Sequence, residues 1–149
     1  MPIQMFMRRY FNDIPVAQID SFFGFTTDKS TLYGGRIYGG TELSAYDLKS
    51  MYEMGIGLRL PLTNHHATPE EYTANLPLFK KHHRPGNSII VTNDNLARWI
   101  RRDFPEYRLE ASVIKNIDSL AKIEKAAGLY DSIILPMSAN EDEAFLGSI

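Results

Sequence analysis

The chain has no cysteine among its 149 residues. That excludes disulfides, a thiolate nucleophile, iron–sulfur ligation and a cysteine-built zinc site from anything these residues supply themselves, and it leads us to expect a cytoplasmic setting. Neither sign of charge is in real excess. Sixteen Lys and Arg against 18 Asp and Glu leave a net charge of −2, so nothing global draws the chain to nucleic acid or an anionic membrane, and only a local basic patch would. No apolar run approaches the roughly 20 residues that span a bilayer. The opening MPIQMFMRRYFNDIP places Arg8 and Arg9 after its apolar residues, with Asn12, Asp13 and Pro15 following, which is the wrong order for a signal peptide. Low-complexity segments and close repeats are missing as well. At 44% hydrophobic and 23% charged, the chain has the composition of a single domain with one sizeable core.

What is present is alternation. After an N-terminal extension over residues 1–18, about five β/α units fill residues 19–149, with strands expected at IDSFFGFT, IGLRLPL, SIIVTN, YRLEASVI and YDSIILPM. Helices are expected at Ser44 to Met54, Pro69 to His82, Asn95 to Asp103 and Ser119 to Ala127. Thr68 with Pro69 and Glu71 forms a capping box that carries proline where a helix tolerates it. Ser44 with Asp47, and Asp94 and Asp118, offer weaker caps; Gly55, Gly86, Gly128 and Pro105 mark stops.

Strand–helix alternation implies an α/β fold with a parallel sheet and right-handed crossovers. Two architectures fit: a partial (β/α)8 barrel, whose full form takes about 250 residues, and a flavodoxin-like doubly wound domain. Ile56, Leu58, Leu60 and Leu62 share one strand face, leaving Arg59 on the other, and Glu110 likewise opposes Leu109 and Ala111. A doubly wound sheet buries both faces in apolar contacts. A barrel turns one face inward, where Arg59 and Glu110, on alternate strands, would pair; otherwise each sits in water at a strand end or sheet edge.

The ordered set LYGGR, MGIGLRLPLTN, SIIVTNDNLARWIRRDFPEYRLEASVIKNI and YDSIILPMSAN, spanning roughly Phe22 to Asn140, resembles the N-terminal part of bacterial and phage proteins related to the collagenase-like peptidase family. The resemblance implies a (β/α)8 barrel and favours the partial-barrel reading. It also implies further strands and a cysteine cluster beyond this point, so the family's iron–sulfur chemistry does not carry over to a chain without cysteine. A half-barrel would leave a parallel edge open, to be completed by more of the same protein, by copies of this chain or by another subunit.

In either architecture the carboxyl ends of the strands form the ligand face. The residues expected there to bind a ligand are Gly34, Gly35, Arg36, Asn64, Asn93, Lys115 and Asn140, with Arg59 pointing inward beneath them. Glycines let backbone amides approach a ligand, and Arg36 would grip a carboxylate or phosphate, although YGGRIYGG is neither a Walker motif nor GxGxxG. His65 is the expected acid–base group and Glu110 the second catalytic candidate. His66, its neighbour on an extended segment, would face away. His82 and His83 lie at the other pole and read as dipole partners in water.

No metal site is expected. Glu141, Asp142 and Glu143 are explained by the helix they open. Around ARWIRRDFPEYR the buried stripe is Leu96, just before it, with Trp99 and Ile100, and the arginines lie mainly on the wet side, so nucleic acid is not the expected partner. The functional expectation is a barrel-type module taking a small polar or anionic ligand, with reaction and cofactor left open. The alternative is a non-catalytic assembly subunit using its open sheet edge, as a homo-oligomer or with a completing partner; neither reading involves a membrane.

Overall fold

The computed structural model of the chain describes residues 2–35 and 42–149. Arg36 and the second Tyr-Gly-Gly lie outside the described residues. Five strands, β1 (Ser21–Phe23), β2 (Gly57–Leu62), β3 (Ser88–Val91), β4 (Arg108–Ala111) and β5 (Ser132–Ile133), form one sheet in the order β1-β2-β3-β4-β5. Every neighbouring pair is parallel. The fold class is therefore α/β with alternating units, as expected. The strand order is sequential, as between neighbouring barrel strands, without the reversal that creates the switch point of a doubly wound sheet.

The helices are α1 (Ile3–Tyr10), α2 (Ala45–Glu53), α3 (Pro69–Ala74), α4 (Leu76–His82), α5 (Asp94–Asp103), α6 (Leu120–Ala127), α7 (Met137–Asn140) and α8 (Glu143–Leu146). None of them is long and apolar enough to cross a membrane. Both capping boxes form: Ser44 and Thr68 accept from the amides of Asp47 and Glu71, whose carboxylates reach back to the cap residues. The expected single helix from Pro69 to His82 is broken at Asn75 into α3 and α4. Pro77 is the cause, because it lacks an N–H and its ring would strike the carbonyl of Thr73 in a continuous helix. At α5 the cap is Asn93, one residue earlier than expected. Asp118 does not cap α6 and instead pairs with Lys122 at 2.7 Å.

Strand alternation sorts the sheet into two faces. One carries Leu58, Leu60, Leu62, Ile89, Val91, Leu109 and Ala111, packed in a single core with Leu48 and Met51 of α2, Phe79 of α4, and Leu96 and Ile100 of α5. The register places Phe23, Arg59, Pro61, Ser88, Ile90, Arg108, Glu110 and Ser132 on the other, inner face. That face is partly open, with Phe23 55% exposed. Residues 1–18 are more than a tail. α1 buries Ile3 and Met7, the Ile3 amide donates to Asp47 of α2 at 2.8 Å, and Phe6 meets Phe22 of β1 edge-on at 6.1 Å. The strands are shorter than expected. Val113 and Ile114 leave β4 for an exposed 3-10 turn over Val113–Lys115.

Candidate functional site

The charged pair expected from alternation forms on the inner face. Arg59 Nε donates to Glu110 Oε1 at 2.9 Å and its Nη2 to Oε2, spanning β3, while the Ser88 hydroxyl donates to the same carboxylate from the strand between. Glu110 is 7% exposed. Burial pushes its pKa up, but the hydrogen bonds from Arg59 and Ser88 outweigh that and hold it below the ordinary value, so it is a carboxylate.

Beyond Leu62, Val91 and Ala111 the ladder continues, with the Ser112 amide donating to Val91 O and the Ile134 amide to Ala111 O, each at 3.0 Å. The next residues on the inner face are therefore Thr63, Thr92 and Ser112, all buried, at the carboxyl ends of three adjacent strands. Ser112 Oγ accepts the Ile114 amide and so is occupied by its own turn. Thr92 Oγ1 is buried and, among the described residues, meets no hydrogen-bond partner. Neither threonine is among the residues expected from the sequence to bind a ligand, although strand period alone puts both on the face of Arg59 and Glu110.

The loop residues expected to bind ligand do come together, but through one another. Asn64 Nδ2 donates to Thr31 O at 3.2 Å, Asn93 Nδ2 to His65 O at 2.9 Å, and Lys115 Nζ to Thr92 O at 3.1 Å. Each loop thus holds a main-chain carbonyl of the loop before it. Their remaining groups are also engaged: Asn64 Oδ1 accepts the His66 amide, Asn93 Oδ1 caps α5 at the Leu96 amide, and Lys115 pairs with Asp94 at 2.7 Å. Gly34 and Gly35 sit at φ 71 and 74, where glycine is favoured, and a side chain at Gly34 would meet the Thr63 carbonyl at 3.2 Å. Tight turn geometry explains both glycines. His65 and His66 are exposed, with ring centroids 6.3 Å apart, and Asn140 is exposed at the end of α7.

The second histidine pair is not in water. His82 is 3% exposed and its Nε2 lies 3.0 Å from Asp28 Oδ2, with Lys81 on the other carboxylate oxygen at 2.7 Å. Burial raises the Asp28 pKa, yet bonds from Lys81, His82 and Thr26 bring it down to about 2. His83 Nε2 accepts the Glu106 amide and its ring stands against Phe104 at 5.2 Å. Two of the arginines near Trp99 are likewise occupied: Arg101 holds Asp131 and the carbonyls of Tyr107 and Leu129, and Arg102 holds Asp103. Among the described residues no cluster of three or more His, Asp or Glu has the spacing to hold a metal ion.

Compared with family models, with curated proteins and with solved structures, the chain matches none.

Proposed function

We propose that the chain is a barrel-type module that binds a small polar or anionic ligand at the carboxyl ends of its strands, on the inner face above Arg59 and Glu110. The observation that carries this reading is the Thr92 hydroxyl, buried without a partner among the described residues. An unsatisfied buried hydroxyl costs about 1–3 kcal/mol, which a ligand oxygen or N–H would offset once the atoms covering the hydroxyl move aside. Thr63 occupies the same layer on the adjacent strand. Because Glu110 already neutralises Arg59, the deepest part of the site suits an uncharged polar group, with any anionic end toward the rim. Of the two exposed rim imidazoles, His65 is the one from which acid–base chemistry would start. The resemblance to barrels related to the collagenase-like peptidase family supports the same placement.

The test is a thermal-shift comparison of the parent and Thr92→Val with glucose, glutamine and malate as probes. At least one probe should raise the parent's midpoint. The valine variant should lose that response while its unliganded midpoint stays level or rises, since the substitution removes an unsatisfied group. Silence from all three probes, or an unchanged response in the variant, overturns the reading.

A second reading, a non-catalytic assembly subunit, is favoured by Phe23, more than half exposed on an edge strand that pairs on one side only among the described residues. Light scattering on the purified chain decides it: an oligomer that Phe23→Ser dissociates supports the reading, and a monomer at all concentrations removes it.

A further inference from the structure

On the opposite side of the sheet, between α5 and α6, a cleft of about 240 Å³ is lined by Asp94, Arg98, Lys115, Lys122, Lys125 and, along its floor, Ile117, Ala126, Leu129 and Tyr130. Asp94 and Arg98 are one helical turn apart on α5. Lys122, Lys125 and Ala126 share a face of α6, so the two helices present cations to each other across the opening.

Four cationic side chains meet one carboxylate there. That carboxylate is already occupied, because Asp94 Oδ1 accepts from Lys115 Nζ at 2.7 Å and from the Tyr130 hydroxyl at 2.6 Å. Burial raises its pKa, but these bonds outweigh that and hold it low, so it stays ionised. Lys122 is engaged by Asp118 at 2.7 Å, outside the cleft. Among the described residues Arg98 has only the neutral Asn95 amide oxygen, at 3.0 Å, as its hydrogen-bond acceptor. Neither Arg98 nor Lys125 makes an ion pair among the described residues, although the Asp94 charge one turn away attracts Arg98. Beneath them the floor is apolar, with Ile117, Ala126 and Tyr130 buried.

We propose that this cleft binds a compact amphipathic anion: a carboxylate or phosphate head held by Arg98 and Lys125, on an apolar or aromatic body seated against Ile117, Ala126 and Tyr130. The size agrees, since a cavity of about 150 Å³ admits a benzene ring and the cleft adds room for a charged head. The inference goes beyond the inner-face site: Lys115 connects the two places by holding the Thr92 carbonyl, but the head-group residues Arg98 and Lys125 belong to the cleft alone, so their double variant fails or succeeds independently of Thr92→Val.

The experiment is isothermal titration of the full chain with phenyl phosphate, benzoate, inorganic phosphate and the neutral benzyl alcohol. Saturable one-to-one binding of phenyl phosphate or benzoate is expected, and which of them binds more tightly identifies the head group. Inorganic phosphate should bind more weakly and benzyl alcohol should not bind. The exposed-site double variant Arg98→Gln/Lys125→Gln should keep the parent's circular dichroism and lose affinity by at least about tenfold, as expected for two lost charge-assisted contacts. Ala126→Phe, which fills the floor, should abolish binding of the ring-bearing anions. No binding up to about 10 mM, the weakest affinity that would define a site, overturns the proposal. So does equal binding of benzyl alcohol, or full affinity in the double variant.

Discussion

Arg59 and Glu110 meet over the top of the strand between them, joining β2 to β4 with no help from the loops. The two partners differ in what they leave behind. Arg59 is about a third exposed at its side chain and Glu110 a tenth, so a lone guanidinium reaches water whereas a lone carboxylate keeps only Ser88. Arg59→Ala is therefore expected to destabilise by about 3 kcal/mol and Glu110→Ala by about 1–2 kcal/mol. The apolar pair Arg59→Met/Glu110→Leu should recover most of the loss. Urea denaturation of the four proteins checks this, and equal losses for the two single variants would show that burial does not set the asymmetry.

Stability should fall in acid. Asp28, Asp47, Asp94, Glu110 and Asp131 all have folded pKa values below their ordinary ones. The folded state then binds fewer protons than the unfolded chain, whose carboxyls titrate near 4. Their contribution is full above about pH 5 and is lost as pH drops through the folded values. For Asp28 that window runs from the ordinary 3.8 down to about 2. Thermal midpoints followed by circular dichroism should be level from about pH 5 upward and decline steadily toward pH 2. Asp28→Asn should lower the neutral-pH midpoint and shallow the decline.

Gly57, the first residue of β2, cannot carry a side chain. A Cβ there would lie 1.9 Å from the Gly86 carbonyl oxygen, which belongs to the turn entering β3. Gly57→Ala must push two backbones apart at the start of the β2–β3 pairing and is expected to cost more than about 4 kcal/mol, in the exceptional range for a single substitution. Gly128→Ala is the control. Gly128 has an ordinary right-handed φ of −74 and nothing within 4 Å of the added atom, so this change should stabilise by about 0.5 kcal/mol.

Asn93 and His65 separate support from chemistry at the rim. Asn93→Ala removes both the cap of α5 and the grip on the His65 carbonyl, and a loss of about 1–2 kcal/mol is expected. His65→Ala removes an exposed ring and should change stability by less than about 0.5 kcal/mol. Chemical denaturation measures both; a stability loss at His65 comparable to that at Asn93 would give the imidazole a structural role.

The alternation of units, the two capping boxes and the inner-face pair were all readable from residue order, because each depends on a spacing: period two along a strand or three residues across a cap. Pro77 was equally visible, and its break inside the Pro69 to His82 helix follows from the same steric rule that allows Pro69. Two features were not readable. One is the burial of His82, which rests on Asp28, more than fifty positions away in sequence. The other is the use of Asn64, Asn93 and Lys115 by neighbouring carbonyls. Composition shows that such side chains gather at the strand ends, but only the spacing between loops decides whether they face outward or hold one another.

The sequential strand order gives the chain an almost linear wiring diagram. Among the described residues each strand hydrogen-bonds only to its neighbours in sequence, yet each pairing closes a crossover, from Ser88↔Arg108 to the longer Ser21↔Gly57, and parallel pairings across such loops form slowly. Such an array opens from its ends inward. Amide exchange should therefore be slowest in β3, whose four residues are all buried, and fastest in the two-residue β5. The Arg59–Glu110 bond is the exception to nearest-neighbour wiring. It ties three consecutive strands into one cooperative block that releases last.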